Sequence, residues 1–318
     1  MKFRLVFLLG LILNKAYSQQ APTYSMYLNN QILVNPAVAG SDKGISINVS
    51  QRNQWQTLSG PTAQALSIHA PIAHKSIGVG AILVNEKSNL LQQLYLSTCY
   101  AYKINLFSGV LSFGLNIGAM QIGIDNQNID PRHLDDTQLP MTNKKFWSPH
   151  FGTGLYYQSS RLQLSISSQH LQPFKNKQAK DKGSSYLDIR NVTYFIGSYN
   201  IPLTLDFSLV PALNFRHTQG GYSQMDAGIY IKEKHSCSIG VNYRNEGVLS
   251  FQLMLNSNLF FPKMRDQFSI GYAYDYAPSG LTNNRMLGNE IMIIYKIAPQ
   301  KNISKVKNQL PNASPKFF

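Results

Sequence analysis

The chain has 318 residues and a formal charge of +14, yet only 14% of its residues are charged, against an average near 25%, and it carries 18 Tyr and 16 Phe. A basic balance invites a nucleic-acid reading, which the export leader described next removes. Two classes survive, a large secreted β-sandwich protein and an outer-membrane barrel, and aromatics at two interfaces with few charges on the wall are what the barrel requires.

Residues 1–18 read as a leader. Lys2 and Arg4 precede the apolar run Leu5 to Leu13, and Ala16-Tyr17-Ser18 places small residues before Gln19, the expected mature start. That run is too short to span a bilayer as a helix, and no later run is long enough. Removing Lys2, Arg4 and Lys15 from +14 leaves +11. Residues 19–42 form a lead-in on the periplasmic side, 43–297 a barrel, and 298–318 a polar, proline-punctuated tail that reads as flexible.

Strands are expected at Lys43–Arg52, Thr62–Ala70, Ser76–Asn85, Gln92–Asn105, Gly109–Ile122, Ser148–Tyr157 and Arg161–Ser168. They continue at Arg190–Ile201, Leu203–Arg216, Tyr222–Lys232, Ser236–Arg244, Gly247–Asn256, Gln267–Tyr276 and Gly288–Ile297. The ninth alternates most strictly. Leu203, Leu205, Phe207, Leu209, Pro211, Leu213 and Phe215 make one face, expected toward lipid, and Thr204, Asp206, Ser208, Val210, Ala212, Asn214 and Arg216 make the other. The expected fold is an all-β, transmembrane antiparallel barrel of about 14 strands.

Connections alternate in length. Phe107-Ser108, Ser159-Ser160, the link at Pro202 and Glu233-Lys234-His235 are tight; Asn53–Pro61, Glu86–Leu91, Asp125–Trp147, Gln169–Ile189 and Ala277–Leu287 are longer. Asn245-Glu246 and Ser257–Asp266 break that rule. Long loops belong outside, so both termini are expected in the periplasm. Cys99 and Cys237 lie in different strands and read as unpaired thiols.

No catalytic constellation emerges. His133, Asp135 and Asp136 are the best ionisable cluster, but they share an exposed loop with Arg132, and a solvated loop is the plainer reading. His69 and His74 flank a turn. Neither a nucleophile elbow nor a phosphate loop is present. Catalysis, cofactor and metal are all expected to be absent.

Ordered motifs add a resemblance. Tyr24-Ser25-Met26-Tyr27, Asn35-Pro36-Ala37-Val38-Ala39-Gly40, Arg52-Asn53-Gln54-Trp55 and Gly60-Pro61-Thr62 come first. Leu66 to Pro71, Ile77-Gly78-Val79-Gly80, Tyr100-Ala101-Tyr102 and Leu111 to Leu115 follow, and Gly271 to Tyr276 with Gly288-Asn289-Glu290-Ile291 close the chain. Together these resemble the PorP/SprF family, outer-membrane proteins of the Bacteroidetes linked to type IX secretion and gliding motility. Asn289 stands where that pattern has His.

The resemblance implies a barrel that assists export or surface anchoring of a partner. The implied partners are type IX components or an exported adhesin-like protein, a peptidoglycan-linked periplasmic protein, and outer-membrane lipid, with no nucleic acid. A porin-like diffusion channel is the alternative, if the lumen is open. Tyr27, Asn35, Pro36, Ala37, Gly40, Arg52, Asn53, Gln54 and Trp55 form the candidate partner-contact or structural motif. Pro36 biases Asn35 to extended backbone, Gly40 permits a turn into the first strand, and Arg52 to Trp55 cap that strand at the long-loop rim.

Overall fold

The computed structural model describes residues 24–54, 60–72, 76–88, 91–124, 145–171, 189–234, 236–261, 264–277 and 286–299. Its strands are β1 Ile45–Asn53, β2 Thr62–Ile72, β3 Ile77–Ser88, β4 Leu91–Leu106, β5 Gly109–Ile124, β6 Lys145–Ser159, β7 Leu162–Gln169 and β8 Val192–Tyr199. They continue with β9 Ile201–Pro202, β10 Phe207–Thr218, β11 Ser223–Glu233, β12 Cys237–Arg244, β13 Val248–Asn256, β14 Gln267–Ala277 and β15 Met286–Ile297. Each wall strand pairs antiparallel with its sequence neighbours. β1 pairs with β15, closing the ring. The two-residue β9 extends the line of β8 against β10, so the wall has fourteen strands, the expected number.

Period-two alternation sorts the wall into two surfaces. On β5, Phe113, Leu115 and Ile117 face outward and are exposed, while Ser112 and Asn116 are buried inward with Gly114 between them. Outward rows of this kind recur on β11, β12 and β13, for example Ile229, Ile231, Ile239, Val241, Phe251 and Leu253. A continuous apolar band around a closed sheet suits lipid rather than water. Cys99 is buried on β4 and Cys237 half-buried at the start of β12, and both are free thiols.

Most strand ends move by one to three residues from the sequence reading, and two connections change more. The ninth expected strand begins at Phe207, so Leu209, Pro211, Leu213 and Phe215 keep the outward face while Leu203 and Leu205 lie in a bend. The reason is local. Thr204 Oγ1 accepts from Phe207 N–H at 3.0 Å and Asp206 N–H at 3.3 Å, a side-chain turn that competes with the ladder. The tight link at Pro202 is thus a longer bend centred on Thr204. The connection read as Glu86–Leu91 shrinks to residues 89–90, because the β3–β4 ladder continues through Glu86↔Gln93 and Lys87↔Gln92 to Ser88↔Leu91.

The described core lies inside the ring. Tyr24 to Gly40, expected beneath the barrel, runs through its interior instead, as a turn over residues 25–29 followed by two short 3-10 turns, Gln31–Leu33 and Pro36–Val38, joined through extended Asn35. Its physical reason is the wall's inner lining of Ser, Asn and Gly, whose small polar side chains leave space and offer hydrogen bonds. Ile32, Ala37, Val38 and Ala39 cluster with inward Ala65, Ile82, Val84, Ala101 and Cys99, and Met26 clusters with Met254, Ala273 and Met292.

Candidate functional site: a plugged lumen

The plug is fixed at its beginning by charge. Arg52 on β1 points inward and is 1% exposed, with Nη2 2.5 Å from Asp275 Oδ2 on β14 and Nη1 3.2 Å from Glu290 Oε2 on β15. Arg52 Nη1 also donates to Ser25 Oγ at 2.8 Å. Ser25 N–H donates to Glu290 Oε2 at 2.7 Å, its hydroxyl lies 2.8 and 2.9 Å from the Asp275 oxygens, and its carbonyl accepts from Gln252 Nε2 at 2.7 Å. Arg244 on β12 continues the chain of charges, 3.9 Å from Asp275 and 2.9 Å from Asp226 on β11. Buried ions need partners with good geometry, and here acids and guanidiniums alternate along the inner wall.

The middle of the plug is held by hydrogen bonds. Asn29 O accepts from Asn48, Asn30 Oδ1 accepts from Ser67, and Val34 O accepts from both Ser167 and Gln169 Nε2. The far end is held by close approach. Asn35 Nδ2 donates to Leu155 O at 2.8 Å and Ser165 Oγ at 2.7 Å, while its Oδ1 accepts from Ala37 N–H at 2.9 Å and caps the turn that Pro36 opens. A Cβ on Gly114 would overlap the Ala37 backbone, one on Gly78 would overlap Ala39, and one on Gly154 would overlap the Asn35 amide. Gly40, at φ +65°, turns the chain into the wall, with its N–H donating to His69 Nδ1 at 3.1 Å and its carbonyl accepting from Lys103. Beside it, burial raises the Asp42 carboxyl, but Lys296 at 2.9 Å and His69 overcome that, so it sits below the usual carboxylate range.

Of the candidate motif, Tyr27, Asn35, Pro36, Ala37 and Gly40 therefore sit inside the barrel. Arg52 joins them there, which corrects its reading as a rim cap: its position on β1 turns it inward, where Asp275 and Glu290 meet its guanidinium. Asn53 ends β1 near the rim, with Nδ2 3.4 Å from Asn289 Oδ1, and Gln54 N–H donates to Pro61 O at 2.8 Å. Trp55, like His133, Asp135 and Asp136, lies outside the described residues. Sequence reasoning missed the roles of Ser25, Asp226, Arg244, Asp275 and Glu290. The signal was available, since a charge inside a lipid-facing strand must take the lumen side.

On the long-loop side of the plug lies a cavity of about 110 Å³, floored by Tyr24 and Tyr27 and walled by Tyr95, His150, His170 and Tyr194, with Glu86 and Arg216 also in its lining. Among the described residues no group of three or more His, Cys, Asp or Glu gathers.

The model of one family, described as type IX secretion system membrane protein PorP/SprF, matches residues 16–295. The chain belongs to that family. PorP/SprF membership and the closed sheet make this an integral outer-membrane barrel, in a family and fold associated with secretion and transport. No curated protein sequence matches the chain. Among solved structures, the CymD monoaromatic hydrocarbon channel is similar at 11% identity and TM-score 0.54, covering 86% of this chain and 93% of its own. The Ralstonia pickettii toluene transporter TbuX aligns at 12% identity and TM-score 0.49, over 85% and 93%. A Pseudomonas aeruginosa FadL homologue aligns at 10% and 0.46, over 83% and 92%. At such identities the likeness to CymD is one of fold alone. The plug in this PorP/SprF barrel is a property of its own residues.

Proposed function

We propose that this barrel is a closed holder for partner proteins in type IX secretion, assisting their export or surface anchoring and carrying out no chemistry itself. The observation that supports this reading over a diffusion channel is the plug: Tyr24 to Gly40 fills the lumen and is tied to ten wall strands, β1 to β7 and β13 to β15, by hydrogen bonds, several of them to buried ions, and by close backbone approach. In this reading the long-loop rim faces outward, both termini face the periplasm, and the partner is a type IX component or an exported adhesin-like protein. A peptidoglycan-linked periplasmic protein is a further candidate, reached from the short-turn side rather than through Tyr24 to Gly40.

The test has two arms. Gentle solubilisation and pull-down should bring type IX components or an exported partner with the barrel, and its deletion should leave that partner unexported or unanchored. In planar bilayers the intact barrel should be silent. Steady conductance of ions or small solutes by a barrel that purifies alone would favour the channel. Cysteines placed in residues 125–144 should be labelled on intact cells, and cysteines in the tail should not; the reverse pattern overturns the orientation.

A further inference from the structure

An imidazole pair beside the cavity has no part in holding the plug. His150 projects inward from β6, and His170 follows β7 at φ +57°, a left-handed backbone uncommon for a residue with a side chain. Their Nδ1 atoms are 3.0 Å apart, with ring centroids 4.6 Å apart and planes at 80°. Two amides meet His150 Nε2, with Gln169 Oε1 at 3.1 Å and Asn116 Nδ2 at 3.3 Å. Gln169 Nε2 donates to Val34 O at 2.6 Å, so Gln169 Oε1 is the acceptor for Asn116 Nδ2 at 2.9 Å and for His150 Nε2 at 3.1 Å. The shorter contact, to Gln169, favours the proton on Nε2, which leaves the Nδ1 lone pair toward His170. A hydrogen bond prefers a nearly straight N–H···N line. The centroids are closer than such a line would place them, so the contact between the two nitrogens is bent.

We propose that His150 and His170 form a two-nitrogen, cis binding site for a divalent transition metal of the Cu²⁺ or Ni²⁺ class. With metal–nitrogen bonds of about 2.0–2.1 Å, a 3.0 Å separation subtends roughly 91–97° at the metal, which suits square-planar or tetragonal coordination rather than a tetrahedron. Histidine ligands characteristically donate their second N–H to a fixed acceptor, as His150 does to Gln169. Tyr95 packs edge-on against His150 at 4.5 Å and restrains the ring. The remaining coordination positions open toward the cavity, where Glu86 stands opposite in charge to Arg216 and water or an entering donor atom completes the shell.

The experiment uses the full chain in detergent, stripped with EDTA, with His74, His133, His217 and His235 replaced by Gln to leave His69, His150 and His170 as the imidazoles of the chain. Calorimetric titration with CuCl₂ and NiCl₂ should give one site, and the Cu²⁺ EPR spectrum should show coupling to two imidazole nitrogens. His150→Gln and His170→Gln should each weaken binding at least about tenfold, and Gln169→Leu about tenfold through loss of orientation. Heat-modifiable electrophoresis checks that each variant is a folded barrel. Affinity unchanged in the His150→Gln/His170→Gln double variant overturns the proposal. So does a spectrum with fewer than two imidazole nitrogens, and this arm needs no variant at the pair.

Discussion

Where the plug meets β1, β14 and β15 it is held by charge, and where it meets β3, β5 and β6 it is held by the absence of side chains. At Ser25 the N–H and the hydroxyl find ions, the carbonyl finds Gln252, and the ions find one another. At Ala37 and Ala39 the backbone itself lies against Gly114 and Gly78, and Asn35 supplies the hydrogen bonds. The two anchors fail differently. Removing one member of a buried ionic chain leaves the others charged and desolvated, so the damage spreads through the wall. Adding one methyl at a contact glycine displaces the plug locally and leaves the wall intact.

The largest effect should come from breaking the charged end. Arg52→Leu is expected to cost about 3–5 kcal/mol, because Glu290 loses the cation at 3.2 Å and Asp275 is left with Arg244 at 3.9 Å. Thermal unfolding in detergent measures this, and the same variant should let protease reach the plug.

Gly114→Ala should cost less, about 1–3 kcal/mol, as overpacking against backbone that has no rotamer to change. Its distinctive readout is conductance: the far end of the plug should lift and give a flickering pore while the melting of the wall shifts little. Unchanged silence in bilayers and an unshifted melt would mean the close approach at Gly114 contributes nothing.

Asn35→Ala tests whether the far end also relies on polar anchoring. Loss of a turn cap costs about 0.5–2 kcal/mol, and Leu155 O and Ser165 lose a donor as well. Protease access confined to the segment after Pro36 would assign this residue to the second anchor.

The smallest effect belongs to a site outside both anchors. Asp266 accepts from Ala298 N–H at 2.9 Å and from Tyr295 Oη at 3.0 Å, and these bonds, the backbone one first, hold its carboxyl below the usual carboxylate range. A depressed carboxylate stabilises the fold above its unfolded-state pKa, and the contribution fades as pH falls through the lowered folded value. Melting should therefore decline slightly on acidification, and Asp266→Asn should reduce that slope, leaving the share of Asp42, without exposing the plug. An exposed plug in Asp266→Asn would blur the separation of the anchors from the rest of the wall.

Much of the wall was legible from alternation, because lipid outside and polar groups inside impose opposite chemistry on adjacent residues. Phe113, Leu115 and Ile117 against Ser112, Gly114 and Asn116 carry that pattern with no knowledge of partners. Strand ends were less legible: Leu203 and Leu205 continue the apolar alternation, and only the Thr204 hydroxyl gives away the bend. The plug was the least legible part. Tyr24 to Gly40 has neither period two nor a helical period, so its place is set by residues far along the chain. Asp275 and Glu290 were on view as charges within apolar strands, but their common partner at Arg52 exists only once the ring is closed. The pairing of His150 with His170 depends likewise on the turn after β7.

Arg52 and Glu290 face each other across the β1–β15 seam, and Ser25 reaches Glu290 over 265 positions of sequence. Contacts so distant in the chain are made late, because the loop that joins them must close before they return any free energy. Ser25, near the start of the described residues, thus waits for the last strand. A nascent barrel short of β15 holds Arg52 beside only part of its complement of acids, and a plug seated early has nothing to grip at Ser25. Seam closure and plug seating become a single step, so a chain truncated or stalled before Glu290 should stay loose enough for envelope proteases to remove it.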